Sequence, residues 1–281
     1  MKKINVIGMT FDEERALYHT SGVVENCIFA GPKDGESVLK ECRDVTVKNC
    51  SFSLRYPLWH TDGFALIHSK MDELTRAPIW YTKHGLIDSC EIKGIKCIRE
   101  CEDIEIRNSS IVSPEFGWKS HRISFEDSTA EGEYFLFECS DVSIKNLKMR
   151  GKYSFQYIDK MTISDSDFDT KDAFWHAKNV VVTDTVLKGE YLGWYSENLT
   201  LIRCHIIGTQ PLCYCKNLKL IDCTMENCDL SFEYSDVDAT VNGTIVSVKN
   251  PASGKIVADK IGEIICEDSV MNNTCNIIVR S

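Results

Sequence analysis

Apolar residues return along this chain at a fixed beat. The pattern apolar-x-(Asn/Asp)-(Cys/Ser/Thr)-x-apolar occurs in VKNCSF (47–52), IRNSSI (106–111), ISDSDF (163–168), VTDTVL (182–187) and LIDCTM (220–225). Taking the residue after the Asn/Asp as an anchor gives Cys27, Cys50, Lys70, Cys90, Ser109, Ser128, Leu147, Ser166, Thr185, Cys204 and Cys223. From Cys90 onward every gap is 19 residues; the earlier gaps are 23, 20 and 20. Three residues before each anchor the chain is always apolar (Val24, Val47, Ile67, Ile87 and onward), and two residues after it only Asp72 breaks the rule. A period near 20 residues is the signature of a solenoid.

Asn and Asp tolerate the left-handed backbone region, so the position before the anchor (Asn26, Asn49, Asn108, Asp127, Asn146, Asp165, Asp184, Asp222) reads as a tight corner. Between corners lie alternating, β-branched runs such as Val45-Thr46-Val47, which is strand chemistry. One coil is thus expected to hold a strand, a first corner near Asp141, Asn179, Asn198 or Asn217, a second strand, the Asn/Asp corner, a third strand and a Gly-bearing turn. The fold class is all-β: a single-stranded right-handed parallel β-helix of about 12 coils of 19–20 residues with an Asn/Asp corner ladder. It would form one domain over 1–281, regular over about 20–230 and degenerate over 231–281, where closing coils end the stack. Its length would be roughly 55–60 Å. GPKDGE (31–36) reads as a loop that lengthens one early coil.

The Asn-bearing corner between two sheets resembles the pectate-lyase-like right-handed β-helix superfamily over about residues 20–230. RALYHTSG near the start and HTDGFALIHSKMDELTRAPIWYTKHG after it resemble an uncharacterised bacterial family within that superfamily, known only as a domain of unknown function. The superfamily likeness implies a carbohydrate site on the wall that precedes the first corner.

Net charge is −10, which opposes general nucleic-acid binding. No apolar run reaches membrane-spanning length. MKKINVIGMTFDEE is too polar for a secretory signal and predicts a cytoplasmic protein. Exposed end strands call for a cap or a second copy of the chain, which would make a homodimer. Fourteen cysteines would invite disulfides, but their placement predicts reduced core residues. Cys27, Cys50, Cys90, Cys204 and Cys223 are anchors, and Cys42, Cys101, Cys139 and Cys215 share a second inward column.

Candidate chemistry lies first on the wall before the first corner. Nine residues before the anchors stand Glu41, Thr61, Tyr81, Glu100, Lys119, Glu138, Tyr157, His176, Tyr195 and Tyr214; four residues earlier stand Tyr153, Asp172 and Tyr191. Period 2 points these outward and sends the intervening Trp80, Trp118, Trp175 and Trp194 into the core, with Arg99 and Gln156 as awkward members of that row. Tyr81, Tyr153, Tyr157, His176, Tyr191, Tyr195 and Tyr214 would meet a sugar, and Glu138, Asp172 and His176 would supply acid–base chemistry. A second cluster includes Trp59, His60, Asp62, His68, Arg76, Lys83 and His84. Its HTDG (60–63), with His60 and Asp62 as catalytic candidates, resembles the Asn-Thr-Asp motif of polygalacturonases, but the companion motifs are missing. Asp165, Asp167 and Asp169 form the candidate calcium set, with Lys171 and Lys152 as nearby bases; no other cofactor is expected. The expected function is binding or processing of a polysaccharide or oligosaccharide on the tyrosine-rich face; the alternative is a structural scaffold.

Overall fold

The computed structural model describes residues 1–31 and 36–280, so the expected 31–36 loop falls almost wholly outside the described residues. The chain divides into two compact units, 1–143 and 144–281. Each is a stack of parallel strands, and among the described residues there is no helix. The protein is a right-handed parallel β-helix.

In the 1–143 unit, Lys2–Ile7, Thr20–Glu25, Arg43–Lys48, Asp62–Ile67, Lys83–Asp88 and Glu102–Arg107 pair in sequence order. In the 144–281 unit, Asp159–Ser164, Lys178–Thr183, Glu197–Ile202 and Leu218–Glu226 do the same. Ile163, Val182, Leu201 and Leu220 lie in register and are buried, as the beat requires.

The corner before the anchor is left-handed in every regular coil, for example Asn49 (φ 50°), Asn108 (50°), Asp184 (50°) and Arg203 (49°). A left-handed residue turns the next N–H toward the core, where it needs an acceptor. The anchor of the following coil supplies one. Cys50 N–H donates to Ser69 Oγ (3.1 Å), Cys90 to Ser109 (3.0 Å) and Leu147 to Ser166 (3.1 Å). The anchor column therefore wants a small residue with an oxygen or sulfur, and cysteine qualifies: Cys27 N–H donates to Cys50 Sγ (3.4 Å). Cys42, Cys101, Cys139 and Cys215 sit in the second inward column, where Cys215 accepts from Ser196 Oγ (3.2 Å) and Ser120 accepts from Cys101 N–H (3.1 Å).

Every cysteine is a free thiol, and all but Cys266 and Cys275 are buried. Burial pushes the Cys101 and Cys139 thiols up to about 12 and Cys90 to about 11. A thiol reagent should thus label no more than Cys266 and Cys275 in the native protein and all fourteen after unfolding. Rapid labelling of several more native thiols would contradict this packing.

One anchor is corrected. Ser69, not Lys70, accepts the Cys50 N–H, and Met71 pairs with Phe52 in the core while Leu66 pairs with Val47. The gaps are therefore 19 and 21 around this coil, and the apparent exception at Asp72 vanishes because Met71 is the inward residue. His68 (φ 47°) takes the corner usually given to Asn or Asp. The same shift places His60 rather than Thr61 on the outer wall; Thr61 is buried. At the first corner Asn217 donates to Asn198 (2.7 Å) and Asn198 to Asn179 (2.9 Å), a side-chain ladder running coil to coil.

The wall before the first corner departs from expectation. It is a regular strand in neither unit's 19-residue coils. Left-handed residues alternate along it: Asp172, Phe174 and His176 in one coil, Tyr191, Gly193 and Tyr195 in the next, Gln210, Leu212 and Tyr214 after that. Successive N–H groups reach alternately to the coils on either side, Phe174 to Ser154 (3.0 Å) and His176 to Trp194 (3.0 Å). The wall stays hydrogen-bonded, but its side chains lose the period-2 alternation of a strand. In the 172–177 segment Ala173, Phe174 and Ala177 are buried, while the adjacent Trp175 and His176 both reach the surface.

Candidate functional site

Three rows of side chains stand side by side on the wall of the 144–281 unit. The first is a ring ladder. Tyr157 stacks on His176 (4.8 Å between centroids, 13° between planes), His176 on Tyr195 (5.0 Å, 9°) and Tyr195 on Tyr214 (4.8 Å, 12°). Tyr234 continues it at 5.9 Å with a 38° tilt. Tyr157 and Tyr195 are about half exposed (50% and 45%). Each inner ring spends both faces on its neighbours, so only edges and polar tips meet solvent.

The second row holds Gln156, Trp175 and Trp194. These were expected in the core; all but Gln156 are half-buried on the wall. The backbone explains the choice of residues. A left-handed residue in the next coil leaves its carbonyl facing outward, and this row provides the donor. Gln156 Nε2 donates to the Asp172 carbonyl (3.1 Å), Trp175 Nε1 to Tyr191 (2.8 Å) and Trp194 Nε1 to Gln210 (2.7 Å). In the 1–143 unit Trp118 does the same to Tyr134 (2.8 Å). Gln156, Trp118, Trp175 and Trp194 share this row because each carries a long-reach N–H, a signal that hydrophobicity alone hides. Above Trp118, Arg99 lies between the Trp118 and Trp80 rings (5.2 and 5.7 Å), and Trp80 stacks on Trp59 (6.2 Å). There Trp59 Nε1, Trp80 Nε1 and Arg99 Nε are buried without an acceptor.

The third row holds Tyr153, Asp172, Tyr191 and Gln210; the carbonyls of Asp172, Tyr191 and Gln210 are the acceptors of the bonds just described. Tyr191 packs edge-on against Trp194 (5.2 Å, 72°). Asp172 is only 5% exposed. Burial raises its carboxyl above the usual carboxylate range, Lys171 opposes the shift and Glu190 adds to it. Lys171 is itself held by Glu190 (2.9 Å) and lies 5.2 Å from the Tyr191 ring centre. Tyr214 is pushed up to about 12, chiefly by burial and secondly by Glu233.

A carboxyl with a raised folded pKa keeps its proton over a pH window in which the unfolded chain has lost it. Stability then falls as pH rises through that window. Asp172→Asn should raise the thermal midpoint at pH 7 and leave it unchanged in acid below the unfolded carboxyl range. An equal effect at both pH values would sink the assignment. An acid kept where it costs stability points to use rather than folding.

The other candidates disperse over the coils. His60 stacks on Tyr81 (5.0 Å, 18°) on the wall of the 1–143 unit. Asp62 and His84 sit at the first corner, 2.6 Å apart, with Asp103 3.6 Å from the other side of His84. Their neighbours Lys83 and Glu102 pair at 2.8 Å, and Arg122 spans Glu102 and Asp103. His68 lies at the second corner, beside a shallow groove of about 460 Å³ crossed by the Lys70–Glu91 pair (3.3 Å). Ser69 and Ser109 in that groove are already spent on backbone carbonyls. Glu138 is exposed and pairs with Lys119 (3.6 Å). Asp169 lies between Arg150 (3.2 Å) and Lys188 (2.8 Å), Asp165 occupies a left-handed corner and Asp167 is exposed. Among the described residues no three His, Cys, Asp or Glu side chains converge as metal ligands.

The family model for a protein of unknown function, DUF3737, matches residues 5–279. The chain belongs to the DUF3737 family. No curated protein matches the sequence. Among solved structures, similar folds include the surface adhesin PfbA of Streptococcus pneumoniae, with TM-score 0.49, 9% identity and 83% and 82% of the two chains covered. The catalytic domain of a GH87 α-1,3-glucanase aligns with TM-score 0.31 and 9% identity over 100% of this chain and 64% of that one. The A-module of the Azotobacter vinelandii mannuronan C-5 epimerase AlgE4 aligns with TM-score 0.29 and 7% identity over 97% and 85%.

Proposed function

We propose that the 153–214 wall of this DUF3737 protein binds a carbohydrate chain without cleaving it. The ring ladder Tyr157–His176–Tyr195–Tyr214 carries the reading. It repeats ring edges and polar tips at the coil spacing of about 4.8 Å, a regular row suited to a repeating, hydroxyl-rich polymer. Because ring faces are consumed within the ladder, contact runs through hydroxyl tips and ring edges rather than through face-on stacking. Cleavage would ask for two carboxyls at a defined separation. The acid beside Asp172, Glu190, is committed to Lys171 at 2.9 Å.

The test is a glycan array of neutral, acidic and amino oligosaccharides, probed with wild type and the double variant Tyr195→Phe/Tyr214→Phe. Phenylalanine keeps the ladder and removes two tips. Binding should weaken roughly 5- to 150-fold for the loss of two hydrogen bonds. Silence of the wild type across the array would end this reading.

A further inference from the structure

We propose that Asp172 forms a subsite for a sugar bearing a free ammonium group, so that the bound chain contains an amino sugar that is not N-acetylated. This rests on the carbohydrate reading of the same wall.

The argument begins with unbalanced charge. Asp172, Glu190 and Lys171 bring two carboxylates and one ammonium, and Lys171 and Glu190 satisfy each other at 2.9 Å. That leaves Asp172 without an ion pair among the described residues, although it is only 5% exposed; Lys171 acts on it at longer range while bonded to Glu190. A buried carboxylate without a counter-charge is costly, and a ligand cation relieves that cost. The protein as a whole carries −10, which favours the approach of a cation and disfavours an anionic sugar.

The surroundings suit an ammonium as well. In its row Asp172 is bracketed by Tyr153 and Tyr191, one coil below and one above, and Trp175 lies three residues along the chain with its indole bonded to the Tyr191 carbonyl. Aromatic rings attract a desolvated cation through their π faces. The two bracketing rings each hold an ammonium in this manner, Lys171 Nζ 5.2 Å from the Tyr191 ring centre and Lys152 Nζ 5.4 Å from that of Tyr153. An amide-capped sugar would bring a neutral group and leave the Asp172 charge unmet.

The experiment compares glucosamine, N-acetylglucosamine and glucose oligosaccharides of equal length and linkage by calorimetry at pH 7. Wild type should bind the glucosamine oligomer tightest. Asp172→Asn should weaken that oligomer by roughly 30-fold or more, the cost of stripping a buried charge of its partner, and should weaken the glucose oligomer far less. Lys171→Gln removes the competing ammonium and should tighten glucosamine binding, a gain that a misfolded variant cannot produce. Equal binding of all three oligomers, with loss on Tyr195→Phe/Tyr214→Phe, would overturn the ammonium subsite and keep the carbohydrate reading. Binding of the glucosamine oligomer that survives Asp172→Asn would also overturn the subsite. Failure of every oligomer to bind would overturn both.

Discussion

Phe174→Ala is expected to lower the stability of the 144–281 unit by about 3–5 kcal/mol. Phe174 is fully buried and stacks on Phe155 (5.0 Å, 25°), which in turn meets Phe168 at 5.3 Å. Collapse into the vacated space is restricted. The next coil offers Gly193 at the equivalent position, with no side chain to lean in. The backbone on both sides is pinned by Phe174 N–H to Ser154 (3.0 Å) and Gly193 N–H to Ala173 (2.8 Å). The cost therefore belongs in the range seen for unrelaxed cavities. Stability in a solenoid is a sum of coil and neighbour terms, so hydrogen exchange should quicken first in residues 155–193. Denaturant unfolding that shows less than about 1 kcal/mol of loss would contradict the packing.

Gly189→Ala should cost about 2–6 kcal/mol, combining backbone strain with overpacking. Gly189 has φ 150°, and a Cβ there would run into the carbonyl oxygen of Thr170 in the coil below. Gly208 rests on the Gly189 carbonyl in the same way. The obstacle is backbone, so no rotamer change relieves it. Gly243 provides the control: its φ is 89°, but nothing lies within 4 Å of the added carbon. Gly243→Ala should cost only about 1–2 kcal/mol, the backbone term alone. Equal losses at the two sites, measured by denaturant titration, would show that coil-to-coil contact is not what demands glycine at 189.

The sequence made the core rows legible because each depends on residue types that recur for a single reason. Ile163, Val182 and Leu201 repeat since they fill one column, and Cys, Ser and Thr alternate at the anchor since each can accept the inward N–H. The slip at Ser69 arose where His68 replaced the usual corner residue; Leu66 and Met71 carried the right register all along. The wall was harder to read. Phe174, His176, Tyr195 and Tyr214 are left-handed there, a conformation that such residues seldom take. Period 2 therefore mispredicts Trp175 and Trp194 as core residues, although both are half-buried on the wall. The placement of Tyr157, His176, Tyr195 and Tyr214 in one surface row did follow from the repeat. That their faces stack on one another, and that Asp172 is buried, depend on side-chain directions that the repeat does not encode.

The hydrogen bonds that join one coil of the 144–281 unit to the next run between residues about one repeat apart, as in Leu147 to Ser166 and Asn217 to Asn198. In the regular coils these bonds tie each coil to its immediate neighbour. Pulled from its end, such a unit would unspool like thread from a bobbin. Each step would free one 19-residue turn, roughly 65 Å of extended chain, and leave the turns below it wound.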